Sequence, residues 1–282
     1  MTFRKLAKKI LTKSPKIYTA IHSLNFELKH KQNFSKLEDK EKELLLKVQK
    51  NGYTVIPDFF DDETCKKCIV DIDWMFENKK EFVHKTDYED YRIFGAEDLS
   101  ENIKKFANHE LLTKLANAYN AVPTSCGFTL AGKISVTGHE YGSGGTWHRD
   151  SYFRQFKSLL YLTDVSEENG PFQIIHGSHK SNQVSADTKT GNLDSMQSSF
   201  NRDTVKKILQ DNPERLKTLT AKAGTVVLVD SSAIHRGLPL KNGIRYALTN
   251  YFFENSQINS HLVKHFSPLV SAEKVLKMGQ AV

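Results

Sequence analysis

From Pro123 to Phe253 the chain reads as short β runs broken by Gly, Asn and Asp: SCGFTLAGKISVTG, FKSLLYLTDV, PFQII, GTVVLVD and IRYALTNYFF. Strands this short bury an apolar face only by pairing with one another, and their spacing predicts an antiparallel barrel or sandwich. The first half is different. Ser35 and Glu38 have capping-box spacing, and the helix they open would run through KEKELLLKVQK to a stop at Asn51-Gly52. Tyr53 to Ile56 reads as a strand ended by Pro57. Asp61 or Asp62 can cap a second helix, ETCKKCIVDIDWMFENKK, and a third helical stretch covers about 100–119. The expectation is a mostly β fold whose flanking helices pack outside the β core.

The polar stretch at about 180–202, rich in Ser, Asn, Asp and Thr, reads equally as a lid, a binding loop or a disordered insertion. The chain has 282 residues and a net charge of +7, and residues 1–32 are strongly basic, with Glu27 their one acidic residue. We therefore divide it into a basic helical N-terminal arm, 1–45, and a β domain, 46–282. Phe3, Leu6, Ile10 and Leu11 fall near helical spacing, so the arm is either a solvated helix or a peripheral membrane contact on an anionic surface. No nucleic-acid partner is expected. No apolar run approaches a membrane span. Three cysteines and the lack of a secretory signal pattern predict a cytoplasmic setting.

The chemistry is carried by Trp147-His148-Arg149-Asp150. Residues two apart on a strand share a face, so His148 and Asp150 would present an imidazole and a carboxylate side by side. His235 follows the apolar run GTVVLVD. Two His and one carboxylate on an octahedral ion leave three positions open, which suits Fe(II) with a chelating cosubstrate and O2. Zinc hydrolases share the donor set but are usually four-coordinate. His-x-Asp alone is weak, since a hydrogen-bonded pair on a strand explains it. Arg245 adds weight. It lies ten residues past His235, on a strand face shared with the small residues Ala247 and Thr249. A guanidinium with space before it pairs with a carboxylate in bidentate fashion, and 2-oxoglutarate offers one at its distal end.

Taken together, GYTVIPDFF at 52–60, WHRD at 147–150, YLTDVSEENGPFQIIHGSHK at 161–180, GTVVLVDSSAIHRG at 224–237 and the Arg245 strand resemble the phytanoyl-CoA dioxygenase-like oxygenases from Gly52 to about Phe253. The resemblance implies a double-stranded β-helix, or jelly roll. It also implies Fe(II) on His148, Asp150 and His235 and 2-oxoglutarate on Arg245, with Thr249 on the same face. In that family the segment before His-x-Asp helps bind the cosubstrate. Here it is LAGKISVTGHEYGSGG, which departs from the usual Lys followed by prolines and offers Lys133, Ser135 and Thr137. Related halogenases replace the carboxylate with a small residue, so Asp150 favours hydroxylation. The expected substrate is a small molecule, a lipid or a lipid-linked glycan. The alternatives are a non-catalytic jelly-roll binding module and a metal-dependent hydrolase.

Other features carry less. Cys65 and Cys68 form a CxxC with no second pair and lie on one stripe of an amphipathic helix, which reads as packing. His176 and His179 read as a turn after a strand, with His179 supporting the site or its loop. His139 could face the pocket or solvent. Tyr152, Phe153, Arg154 and Gln155 are candidates for substrate contact. Arg236 would point away from the side bearing His235.

Overall fold

A computed structural model describes residues 33–255, apart from 86–89, 139, 141, 143–144, 153 and 195–196. Most of the basic arm, together with His139 and Phe153, therefore lies outside the described residues. The first helix, α1 (Asp39–Asn51), starts later than expected: Glu38 is its N-cap and forms the capping box with Glu41, not Ser35. It ends as read, at Gly52 with φ +91°. Leu45 and Val48 are buried in the main core, so this helix crosses the residue-45 boundary and packs as part of the β domain. Then come β1 (Tyr53–Ile56) and α2 (Asp62–Asn78), whose Asp61 cap accepts from the Thr64 N–H. Cys65 and Cys68 are buried on α2, and burial pushes their thiol pKa values up to about 11 and about 12. They are packing residues.

After β2 (His84–Lys85) and β3 (Tyr91–Phe94), the expected third helix is two: α3 (Glu101–Ala107), capped by Ser100, and α4 (Glu110–Asn120). The break falls at Asn108-His109, which the apolar periodicity does not reveal. The β core comes next in the chain: β4 (Thr124–Ser135), β5 (Trp147–His148), β6 (Phe156–Tyr161) and β7 (Phe172–Ile175). It continues through α5 (Ser181–Gly191), β8 (Ser199–Phe200) and α6 (Arg202–Leu209) to β9 (Leu216–Leu219), β10 (Val226–Asp230), β11 (His235–Gly237) and β12 (Ile244–Glu254). The first half of the polar stretch is thus the helix α5. Its Asp187 is buried in a bidentate pair with Arg215 at 2.8 and 2.9 Å.

All strand pairings among the described residues are antiparallel. One sheet has the order β1-β10-β6-β12-β4-β3-β2 and the other β8-β5-β11-β7-β9. Together they form the jelly roll. Strand alternation sorts the large sheet into two faces. Leu160, Leu228, Leu248 and Phe252 pack with Leu45, Ile72, Phe106 and Leu115 of the helices. Tyr161, Val227, Val229 and Ala247 turn the other way, against Ile174 and Leu219 of the small sheet. Trp147, Ile175 and Ile234 on the outer side of the small sheet pack with Val205 and Ile208 of α6. No helix among the described residues is long and apolar enough to cross a membrane.

Gly224 opens the run into β10 at φ +81°, where its carbonyl accepts from Phe59 and Phe60 N–H groups at 2.8 and 3.1 Å. A Cβ there would stand 2.0 Å from the Phe60 carbonyl oxygen. Both the left-handed backbone and the close approach exclude a side chain. Gly224→Ala should lower stability by about 3 kcal/mol and the thermal midpoint by roughly 10 °C. An unchanged melting curve would contradict this account of the crossing.

Candidate metal centre

His148 on β5 and His235 on β11 are direct cross-strand partners in the small sheet. Pairing places both rings on one side, with centroids 4.4 Å apart. Each Nδ1 lies 2.8 Å from the carbonyl two residues before it, of Thr146 and Ala233 respectively. A carbonyl only accepts, so each Nδ1 carries the proton and each Nε2 keeps its lone pair for a ligand. Asp150 lies just past β5, anchored by its N–H to the Ser231 carbonyl at 3.0 Å. Its Oδ1 is 3.6 Å from His148 Nε2, and its Oδ2 is 3.6 Å from His235 Nε2. The three ligand atoms all lie within 4.8 Å of one another.

Two buried groups hold this arrangement. The Arg149 guanidinium donates to the Ser178 carbonyl at 2.7 Å and to the Ser232 carbonyl, tying β5 to the segments flanking β7 and β11. Asp230 accepts from Tyr119 Oη at 2.7 Å, and from Ser232 N–H and Oγ at 2.9 and 2.7 Å. It thereby fixes the turn that leads to His235. Asp230 also reaches the Gln155 N–H at 3.3 Å.

The site opens into a cavity of about 230 Å³ between the sheets. His148, Asp150, His235 and Phe172 line one side, and Lys157, Leu159, Arg245, Thr249 and Tyr251 the other. Arg245 is 6% exposed and has no hydrogen-bond or ion-pair partner among the described residues, and its Nε is buried without an acceptor. A buried guanidinium left unpaired is costly, so this one fits an anionic ligand.

The other expected cosubstrate contacts fall elsewhere. Arg245 pairs with Ile134 and Thr249 with Leu130, so the even-numbered residues of this part of β4 face inward. Lys133 and Ser135 are on the opposite face. Lys133 Nζ binds Asp73 at 2.6 Å and lies over the Tyr246 ring, and Ser135 is exposed. Thr137 lies beyond the strand and does not line the cavity. Tyr152, Arg154 and Gln155 are also off the cavity wall; Arg154 stacks over Tyr119 and the Gln155 carbonyl accepts from the Ser231 N–H. His179 Nε2 contacts the Gln49 carbonyl at 2.9 Å and secures the end of α1. Arg236 stacks over Trp147 on the outer side of the small sheet. Sequence reasoning missed Lys157, which donates to Asp150 Oδ2 at 2.5 Å. The signal for it was a lysine inside the apolar run FKSLLY, in step with Leu159 and Tyr161.

Burial opposes ionisation of Asp150, but Lys157 and the two imidazoles outweigh it and hold its pKa well below the usual carboxylate range. Burial, aided by His148, pushes the His235 pKa down to about 3. The centre is thus one carboxylate and two rings whose Nε2 atoms face the cavity, the donor set of an octahedral metal with open positions.

This is a jelly roll carrying a two-histidine, one-carboxylate cluster on its small sheet. A family profile described as phytanoyl-CoA dioxygenase (PhyH) matches residues 48–245, and the chain belongs to that family of oxygenases. No curated protein sequence matches it. Solved structures share the fold at low identity. The epimerase SnoN from nogalamycin biosynthesis, in complex with Fe3+, alpha ketoglutarate and nogalamycin RO, is 14% identical with a TM-score of 0.57, covering 77% of this chain and 84% of that one. EctD from S. alaskensis is 15% identical with a TM-score of 0.60, covering 78% of each. HygX from Streptomyces hygroscopicus, with nickel and 2-oxoglutarate bound, is 15% identical with a TM-score of 0.55, covering 75% and 86%.

The depressed His235 pKa makes metal-free stability pH-dependent. Between about pH 3 and 6.5 the folded ring binds fewer protons than the unfolded one. Its contribution is complete above pH 6.5 and is lost as the pH falls through that window. Urea melts of metal-free protein should give a lower midpoint at pH 5 than at pH 7.5, and His235→Gln should shrink the difference. An equal loss in the variant would assign the effect to other groups.

Proposed function

We propose that this protein is an Fe(II)- and 2-oxoglutarate-dependent dioxygenase that hydroxylates a C–H bond of a small molecule. The observation that carries the reading is one cavity holding both the His148, Asp150 and His235 cluster and the unpaired Arg245 guanidinium. The donor set fits Fe(II), and the buried cation fits a dicarboxylate. Bound iron supplies the activation of O2, coupled to oxidative decarboxylation of 2-oxoglutarate to succinate and CO2. His148, Asp150 and His235 would hold the metal, the two imidazoles as neutral donors. Arg245 would take the distal carboxylate of 2-oxoglutarate, with Thr249 beside it on β12. Leu159 and Phe172 supply apolar lining in that part of the cavity.

Asp150 retains the carboxylate that favours hydroxylation over halogen transfer. The intact cluster speaks against a non-catalytic binding module, and Arg245 inside the cavity speaks against a hydrolytic zinc site. A HygX structure with hygromycin B bound and the SnoN complex with nogalamycin RO support a small-molecule substrate. A lipid or lipid-linked glycan, met at a membrane surface through the basic 1–32 segment, is a narrower version of the same proposal.

The test is a substrate panel scored by succinate release, with product masses examined for the gain of one oxygen. His148→Ala should abolish succinate formation. Arg245→Met should raise the KM for 2-oxoglutarate by roughly 10–100-fold, the value of a charge-assisted bidentate contact. A wild-type rate in His148→Ala, or an unchanged KM in Arg245→Met, would remove that residue from its role.

A further inference from the structure

A lysine is buried beside the cluster, where it opposes the binding of any metal cation. Lys157 is 5% exposed; it bonds Asp150 Oδ2 and lies 3.6 Å from the centre of the Tyr251 ring. Lys157 and Tyr251 are cross-strand partners on β6 and β12, so the ammonium is held by the sheet. Its neighbours on this wall include the apolar Leu159 and Val229, which do not require a cation. Burying an ammonium is unfavourable unless it is paired, and the metal site would bind a dication more tightly without it.

The geometry of Asp150 gives the lysine a role. Its two oxygens are each 3.6 Å from a different histidine Nε2, so both lie at the cluster. A carboxylate placed this way can chelate a metal with both oxygens or bind with one. Lys157 occupies Oδ2. We propose that Lys157 is a positioning residue that restricts Asp150 to a single metal-binding oxygen, Oδ1, and so keeps a coordination position free for the cosubstrate. This rests on the Fe(II) and 2-oxoglutarate reading above. Three protein donors leave three positions of an octahedron, enough for a two-point chelate and O2. A chelating Asp150 would remove one of them.

The restriction separates two affinities that a structural role would move together. The probes are Mn(II) and 2-oxoglutarate, measured by calorimetry on wild type, Lys157→Met and Lys157→Gln. Methionine removes both the charge and the hydrogen bond. Lys157→Met should bind Mn(II) alone roughly tenfold more tightly, yet the Mn(II)-loaded variant should bind 2-oxoglutarate roughly tenfold more weakly. Lys157→Gln keeps an N–H for Oδ2 without the charge. It should tighten Mn(II) and leave 2-oxoglutarate binding within about threefold of wild type. Any other pattern in Lys157→Met, above all weakening of both ligands, overturns the proposal. If circular dichroism shows that Lys157→Met does not fold, Lys157→Gln decides: tighter Mn(II) with near-wild-type 2-oxoglutarate supports the role, and any other result overturns it. Failure of wild type to bind Mn(II) and 2-oxoglutarate overturns the functional reading itself, whereas failure of the variant pattern alone overturns only the role of Lys157.

Discussion

The pairing of His148 with His235 across the small sheet is the contact on which the site depends. The two residues are far apart in sequence, and only the jelly-roll connection makes their strands neighbours. Backbone register, not flexible side-chain reach, sets the distance between the rings. The carbonyls of Thr146 and Ala233 fix which nitrogen faces the cavity. Arg149 and Asp230 then lock the two entry segments through buried hydrogen bonds, so the site is held before any ligand arrives.

Charge divides the cavity into two parts. At one, Lys157 and Asp150 neutralise each other beside the histidines. At the other, Arg245 makes no direct hydrogen bond or ion pair among the described residues, and the charge of buried Asp90 acts on it only from further away. A buried guanidinium without a direct partner is well placed to receive the carboxylate of a ligand. This asymmetry connects the fold to the cosubstrate and makes the metal cluster more than a hydrogen-bonded group.

Much of this is legible in the sequence. The β runs, the Gly52 stop, a cap at Asp61 or Asp62 and the burial of Cys65 and Cys68 arise from local chemistry, and the structure has each of them, with Asp61 as the cap. That His148, Asp150, His235 and Arg245 meet in one cavity is readable from face-sharing and motif order. The failures are of a different kind. Lys133 and Ser135 suit the cosubstrate by residue type, but strand parity puts them on the wrong face, and parity is set by the partner strand. The capping-box spacing at Ser35 falls one turn too early; Ser is the commoner cap residue, yet Glu38 holds the position. The polar segment after Lys180 lacks an apolar stripe, but Asp187 holds it as a helix through Arg215. Lys157 escapes notice because a lysine in an apolar strand reads as an edge residue until its partner, Asp150, is placed.

The central claim is that the cluster and Arg245 serve one metal and one dicarboxylate. Anaerobic titration of the purified protein with Fe(II) and then 2-oxoglutarate tests it directly by visible absorption. The account predicts a weak metal-to-ligand charge-transfer band that grows to one equivalent of 2-oxoglutarate and needs both components. Full metal loading with no such band would contradict it.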